Sequence, residues 1–252
     1  HRDLHSFPTR RSSDLSYKHQ LSERYIFEGA LRYNIVHSSA EFDTNFFKFS
    51  FKSADVTMGG VTGSLGFNWL PNNLNHLYIN IATGFRAPNI DDIGKVFDST
   101  PGLVVVPNPD LRSEYIYSGE IGWRSTVNSL IKIDLAGYYS YLDDALVRRD
   151  FKFNGQDSIL YDGEMSGVQA IQNAAFAYVW GVHAGFELSI YSGLRLTSKF
   201  NYQKGEEEDD AGNKVPLRHS APWFGSTRLI YEAGKLTAML YADYNGEIRY
   251  EN

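Results

Sequence analysis

The sequence predicts an all-β protein, specifically an antiparallel, up-and-down transmembrane β-barrel that is present in part, with about nine strands. Three observations favour this fold class. Apolar and polar residues alternate over unusually long stretches, the connections between these stretches are alternately short and long, and aromatic residues make up 15% of the 252 residues. Strands that cross a bilayer at a tilt need roughly 9–11 residues, and outer-membrane barrels have short turns at one rim and long loops at the other.

The two-residue alternation is clearest at 174–190. Every even position from Phe176 to Ile190 is apolar, whereas the odd positions are mostly small or polar. A period of two residues favours a strand over a helix. The same pattern predicts nine strands, near 24–36, 56–70, 76–86, 114–124, 129–143, 174–190, 194–203, 223–231 and 236–245.

The connections indicate a simple meander. Short turns are expected at 70–75, 125–128, 191–193 and 232–235, and long polar loops at 37–55, 87–113, 144–173 and 204–221. No helical period and no linker interrupts the pattern, so residues 16–252 are predicted to form one partial barrel domain. Residues 1–15 show no periodicity, and we expect them to be a disordered sequencing or cloning artefact. Residues 247–252 break off without a closing strand, and we interpret the chain as a piece of a longer protein.

Alternation alone does not separate a membrane barrel from a secreted, soluble β-sandwich that binds a ligand, because both bury one face of each strand. Two features favour the barrel. Aromatic residues lie towards strand ends, as in the aromatic girdles of membrane proteins, and the opposite face carries charges in mid-strand, which suit an aqueous lumen. These charges are Glu28, Arg32, Glu120, Lys132, Asp134, Glu187, Lys199 and Arg228.

Two short motifs resemble those of TonB-dependent outer-membrane receptors. One ends a predicted strand and the other begins the next: Phe85-Arg86-Ala87-Pro88, and Asn108-Pro109-Asp110-Leu111-Arg112-Ser113-Glu114. Pro88 and Pro109 also interrupt strand pairing by themselves. Residues 216–222 resemble the proline-rich segment that precedes a later strand in this family.

The resemblance implies a location in the bacterial outer membrane, in contact with its lipid. It further implies a 22-stranded barrel around an N-terminal plug, energised by the TonB complex through a segment that this chain does not contain. The implied cargo is a scarce nutrient, a small molecule or metal chelate of the siderophore, haem, cobalamin or glycan class. In haem receptors of this kind a histidine between the two motifs is an expected iron ligand. Residues 89–107 contain no histidine, which argues against haem.

Composition excludes several other functions. The net charge of −6 argues against nucleic-acid binding, and the absence of cysteine excludes disulfides and thiolate metal sites. No nucleophile or nucleotide-binding motif is present, so we expect no enzyme activity and no cofactor. An outer-membrane barrel enzyme is a third alternative, and His183 is its only mid-strand candidate on the polar face.

The candidate ligand-binding residues lie at predicted strand ends and in the longest loops. We expect the arginines to hold anionic groups by charge-assisted hydrogen bonds and Tyr161 to offer a stacking surface. The set is Arg86, Asn89, Asp91, Asp92, Arg148, Arg149, Tyr161 and Asp162. No metal site is predicted, since His37 and His219 lack a partner at ligand spacing, and the acidic run 206–210 is interpreted as solvated.

Overall fold

The computed structural model describes residues 9–41, 53–94, 96–128, 130–209, 211–217 and 221–247. Within these ranges the chain forms fourteen strands and one short helix. They are β1 (Thr9–Gln20), β2 (Tyr25–Glu41), β3 (Ser53–Asn72), β4 (Asn75–Arg86), α1 (Ile90–Gly94), β5 (Phe97–Thr100), β6 (Leu103–Val106), β7 (Glu114–Val127), β8 (Ile131–Asp150), β9 (Ser158–Tyr161), β10 (Glu164–Tyr191), β11 (Leu194–Glu208), β12 (Lys214–Pro216), β13 (Trp223–Ala233) and β14 (Leu236–Asn245).

Ten of these strands form one antiparallel meander in the order β1-β2-β3-β4-β7-β8-β10-β11-β13-β14. Nine of them correspond to the nine predicted strands, so the predicted up-and-down, partial barrel is confirmed. The other four strands are short and lie within the predicted long loops: β12 pairs with β11, β9 with β10, and β5 with β6, while β6 runs parallel to β10. Those loops are therefore partly folded.

The first strand corrects one expectation. Thr9–Leu15 belongs to β1, which pairs with β2 from Thr9↔His37 to Gln20↔Ile26. The prediction that residues 1–15 are disordered is therefore wrong for 9–15, although all of β1 is exposed. A row of unpaired backbone groups on β2 is a strong template for a further strand, and this pairing does not require an apolar period. Residues 1–8 lie outside the described part of the chain.

The apolar face of the meander is exposed. Its side chains include Val61, Leu65, Ile79, Ile81, Ile121 and Val182, all of which are exposed in spite of their size. The described strands form one sheet, and no second sheet covers this face. The soluble sandwich alternative is therefore wrong, since a sandwich encloses its apolar faces between two layers. No helix in the described ranges is both long and apolar enough to cross a membrane.

The opposite face is polar, and several of its predicted mid-strand charges pair across neighbouring strands. Arg124 donates to Asp134 (2.9 Å) and Lys132 to Glu187 (2.8 Å). The Tyr78 hydroxyl donates to Glu120 (2.7 Å). The ring of Tyr78 lies against Gly122, its direct partner on β7, where an added Cβ would overlap the ring.

The fully buried residues lie mainly at the rim where the predicted long loops are found, not in the wall. One buried cluster joins Ile93 of α1 to Leu111. Another is built from β6, β10 and the segment between β8 and β9, and its members are Val104, Val106, Phe153, Val168 and Ala170. This rim, called here the long-loop rim, contains all the predicted ligand-binding residues.

Candidate functional site

The two sequence motifs meet at the junction of β4 and β7. Arg86 ends β4 and Glu114 begins β7, and the two residues are direct partners in the strand register. The Arg86 guanidinium donates to Glu114, whose side chain is only 8% exposed. The second carboxylate oxygen of Glu114 accepts a hydrogen bond from the Leu146 backbone N–H (2.7 Å). A buried carboxylate needs such partners, because its desolvation is costly.

The residues after Pro88 form the cap of helix α1. The Asn89 side chain accepts a hydrogen bond from the Asp92 N–H (2.9 Å), and the Asp92 carboxylate accepts one from the Asn89 N–H (2.9 Å). This reciprocal pair is a capping box. Arg86 also donates to Asp92 (3.3 Å). Asp91, in the first helical turn, is exposed.

Asn108 ties the second motif to both neighbours. Its N–H donates to the Ile93 carbonyl (2.9 Å) and its side-chain amide to the Ile171 carbonyl (2.8 Å). Leu111 packs on Ile93, with Leu146 and Ile171 against the same cluster. We call the set Arg86, Asn89, Asp92, Asn108, Leu111 and Glu114 the rim latch, because it joins the ends of β4 and β7 to α1, β8 and β10.

The arginines of β8 lie at a second place. Arg149 donates to Glu208 (2.9 Å) and to the carbonyl of Asp209, and its side chain is largely buried. Backbone hydrogen bonds from Asn213 and Ala211 lower the pKa of the Asp209 carboxyl. Arg148 lines a cavity of about 430 Å³ together with Glu114, Glu207 and Glu208. The acidic run 206–209 is thus hydrogen-bonded structure rather than simply solvated, and Asp210 lies outside the described residues.

Tyr161 and Asp162 lie at a third place, the tip of the β9–β10 hairpin. Tyr161 pairs with Glu164, and the positive φ angles of Asp162 (47°) and Gly163 (86°) give the two-residue turn that such hairpins favour. Tyr161 packs against the buried cluster around Val104, whereas Asp162 is exposed.

The predicted residues therefore do not form one site. The structure brings Arg86, Asn89 and Asp92 together in hydrogen bonds with one another or with Glu114. Arg148 lines the cavity, whereas Arg149 is bonded to Glu208 and Asp209. Sequence reasoning missed the partners of the rim latch on β8 and β10, Leu146 and Ile171. The contact between Glu114 and Leu146 joins residues 32 apart in the sequence, and the contact between Asn108 and Ile171 joins residues 63 apart. No local sequence pattern signals either contact.

His37 and His183, two candidates from the sequence, both lie near polar side chains. His37 contacts Thr57 (3.0 Å) and Asp55 (3.4 Å), and His183 lies 3.6 Å from Asp134. His219 is outside the described residues. Among the residues that the structure describes, no group of three or more His, Cys, Asp or Glu side chains is placed to hold a metal ion.

With the meander and its long-loop rim defined, comparison with known proteins identifies the family. Residues 14–252 match the family described as "TonB dependent receptor-like, beta-barrel". The chain belongs to this family. TonB-dependent receptors are outer-membrane proteins of bacteria, and this membrane is the location of the chain. The family consists of transport receptors rather than enzymes.

Curated relatives carry names that refer to haemoglobin. The chain is 25% identical over 231 residues to the hemoglobin-haptoglobin utilization protein B of Neisseria meningitidis serogroup A, covering 84% of this chain and 28% of the relative. It is 29% identical over 157 residues to the hemoglobin and hemoglobin-haptoglobin-binding protein B of Haemophilus influenzae, covering 58% of this chain and 14% of the relative. The chain thus spans less than a third of the length of these relatives.

Solved structures share the fold. The hemophore receptor HasR of Serratia marcescens superposes with a TM-score of 0.71 at 16% identity, over 94% of this chain and 44% of that one. The siderophore receptor PiuA of Acinetobacter baumannii gives a TM-score of 0.71 at 14% identity, over 95% of this chain and 33% of that one. At these identities the likeness is one of fold alone.

Proposed function

We propose that the chain is part of the barrel wall and outer rim of a longer receptor, called here the full-length receptor, that imports an iron source presented by a haemoglobin-type protein. The observation that carries the proposal is the height of the long-loop rim. Strand β10 has 28 residues, although roughly 9–11 suffice to cross a bilayer. Its first part, residues 164–176, joins β5, β6 and β9 in a folded unit that we call the rim platform.

The rim platform has a core of its own. Val104 and Ala170 are fully buried, and Val106 and Val168 nearly so. A small chelate is held by a few polar groups in a pocket, whereas a stable protein complex needs about 800 Å² on each partner. A packed platform above the membrane suits the second kind of ligand. The names of the curated relatives support this choice of ligand.

In this proposal the apolar face of the meander contacts outer-membrane lipid, and the polar face lines the passage. The ligand is captured at the long-loop rim. The iron source then passes a plug, with energy from the TonB complex, through segments that lie outside this chain. The roles of Arg86, Arg148 and Arg149 as ligand contacts remain predictions, and the hydrogen bonds of Arg86 and Arg149 support a structural role for those two.

A second candidate function is the import of a small ferric chelate of the siderophore class. It is favoured by the composition of residues 89–107, which contain no histidine, cysteine, methionine or tyrosine, the residues that ligate haem iron. The cavity beside Arg148, with a volume of about 430 Å³, has the size of a small-molecule pocket.

A binding experiment with the full-length receptor separates the two candidates. The purified receptor is tested in detergent with immobilised haemoglobin, with the haemoglobin–haptoglobin complex, with free haemin and with a ferric siderophore. We expect saturable binding of the two protein ligands. Saturable binding of the siderophore, without binding of either protein, would contradict the proposal and favour the second candidate.

A further inference from the structure

Two large apolar side chains are exposed at the tip of the rim platform. Leu160 of β9 is 69% exposed and Met165 of β10 is 67% exposed. They are direct partners in the antiparallel register, so both project from the same face of the hairpin. Direct partners on one face lie about 5 Å apart at Cβ, and together they form a continuous apolar patch.

Lipid does not explain this patch. The aromatic residues that mark the upper end of the lipid-facing surface of β10 begin at Phe176, which stacks on Tyr141 at 6.2 Å. Met165 lies eleven residues before Phe176, which corresponds to about 35–37 Å along an extended strand. The exposed apolar residues of the wall face hydrocarbon, whereas Leu160 and Met165 face water. Large apolar side chains grouped in water commonly mark an interaction site.

A depression lies beside the apolar patch, and the segment that carries the patch contains several carboxylates. Leu103 and Gly167 pair beside Met165 and line a depression of about 430 Å³ with Phe151 and Val168. Residues 150–167 contain four carboxylates and one lysine, and the carboxylates are Asp150, Asp157, Asp162 and Glu164. Lys152 is itself paired with Asp157 (3.4 Å). The segment that carries the apolar patch therefore has a net acidic charge.

We propose that Leu160 and Met165 form the docking patch for the carrier protein that presents the iron source. An exposed apolar centre is typical of a protein interface, and the net acidic charge of residues 150–167 fits a partner whose contact surface has an apolar side chain with lysine and arginine nearby. The inference rests on the proposed function and names where on the platform the carrier protein is recognised.

The test uses the full-length receptor and haemoglobin as the probe. The double variant Leu160→Ser/Met165→Ser is expected to bind haemoglobin at least about tenfold more weakly, because central apolar anchors carry most of the binding energy of an interface. Glu164→Lys is expected to weaken binding about threefold or more at low salt, with the effect fading at high salt. Leu130→Ser is the matched control: Leu130 is 53% exposed in the turn between β7 and β8, and its loss is expected to leave binding unchanged.

A third variant keeps the test independent of folding. Met165→Cys is allowed to fold and is then blocked with a bulky maleimide, which is expected to abolish haemoglobin binding only after the reaction. If both serine substitutions and the block leave haemoglobin binding at the wild-type level, the docking patch is wrong while the proposed function stands. If the wild-type receptor binds no haemoglobin, the proposed function and the docking patch are both wrong.

Discussion

At the scale of single residues, the rim latch shows that the polar residues of the two motifs have structural roles. Glu114 is almost completely buried at the first position of β7, and its two oxygens accept hydrogen bonds from Arg86 and from the Leu146 backbone. Removing one partner of such a group leaves the other unsatisfied, which costs more than the hydrogen bond itself contributes. The arginine of the first motif therefore has a structural explanation that does not require a ligand.

A pair of substitutions distinguishes the structural role of Arg86 from a role in ligand binding. In the full-length receptor, both Arg86→Ala and Glu114→Gln are expected to loosen the long-loop rim by about 1–3 kcal/mol. Limited proteolysis should therefore cut residues 87–113 faster in both variants. Asp91→Asn, which changes an exposed carboxylate of the same helix, is the control and should be cut at the wild-type rate. Weaker ligand binding by Arg86→Ala with unchanged proteolysis would show that the guanidinium binds the ligand directly.

The sequence made the motifs visible but not their contacts. That Arg86 and Glu114 meet follows from the β4–β7 pairing, which the alternation predicts. That Asn108 reaches the Ile171 carbonyl does not follow, because the contact joins segments 63 residues apart. For the same reason Arg149 was expected to be available to a ligand, whereas it is bonded to Glu208 and Asp209.

At the scale of elements, the long strands were predicted well and the short ones were not. Strands such as β7 and β11 have enough residues for a period of two to stand out. β5, β6 and β9 have four residues each, which is too short for alternation to be distinguished from chance. β1 was missed for a different reason, because its pairing with β2 depends on backbone hydrogen bonds and its own side chains are all exposed.

The β4–β7 pairing provides a prediction at this scale. Gly122→Ala is expected to destabilise the barrel by about 1–3 kcal/mol, since the new Cβ would overlap the Tyr78 ring and displace it from its hydrogen bond to Glu120. Gly119→Ala, in the same strand, is a matched control because its added Cβ would lie 3.9 Å from Ile81, an ordinary contact. The midpoint of heat-dependent unfolding of the full-length receptor, read as a shift in gel migration, should fall for Gly122→Ala and stay near wild type for Gly119→Ala. Equal midpoints for the two variants would contradict this account of the Tyr78–Gly122 pair.

At the scale of the whole molecule, the central claim is that the two faces of the meander meet different solvents. The outward face carries exposed apolar side chains from Val61 to Val182, and the inward face carries charges that pair across strands. In water such a distribution would be unfavourable, because several large apolar surfaces would remain hydrated. In a bilayer the same distribution is the expected one, with lipid on the apolar face and an aqueous lumen on the other.

Neighbouring residues on β10 test this claim most directly. Val182 is exposed on the apolar face, and His183 lies on the polar face near Asp134. This chain has no cysteine, so Val182→Cys and His183→Cys would be its only thiols, and any cysteine elsewhere in the full-length receptor would be removed first. The receptor in lipid vesicles is treated with a membrane-soluble thiol reagent and with a charged, membrane-impermeant one. The account predicts that the first reagent labels Val182→Cys and the second labels His183→Cys; the reverse pattern, or labelling of both positions by the charged reagent, would contradict it.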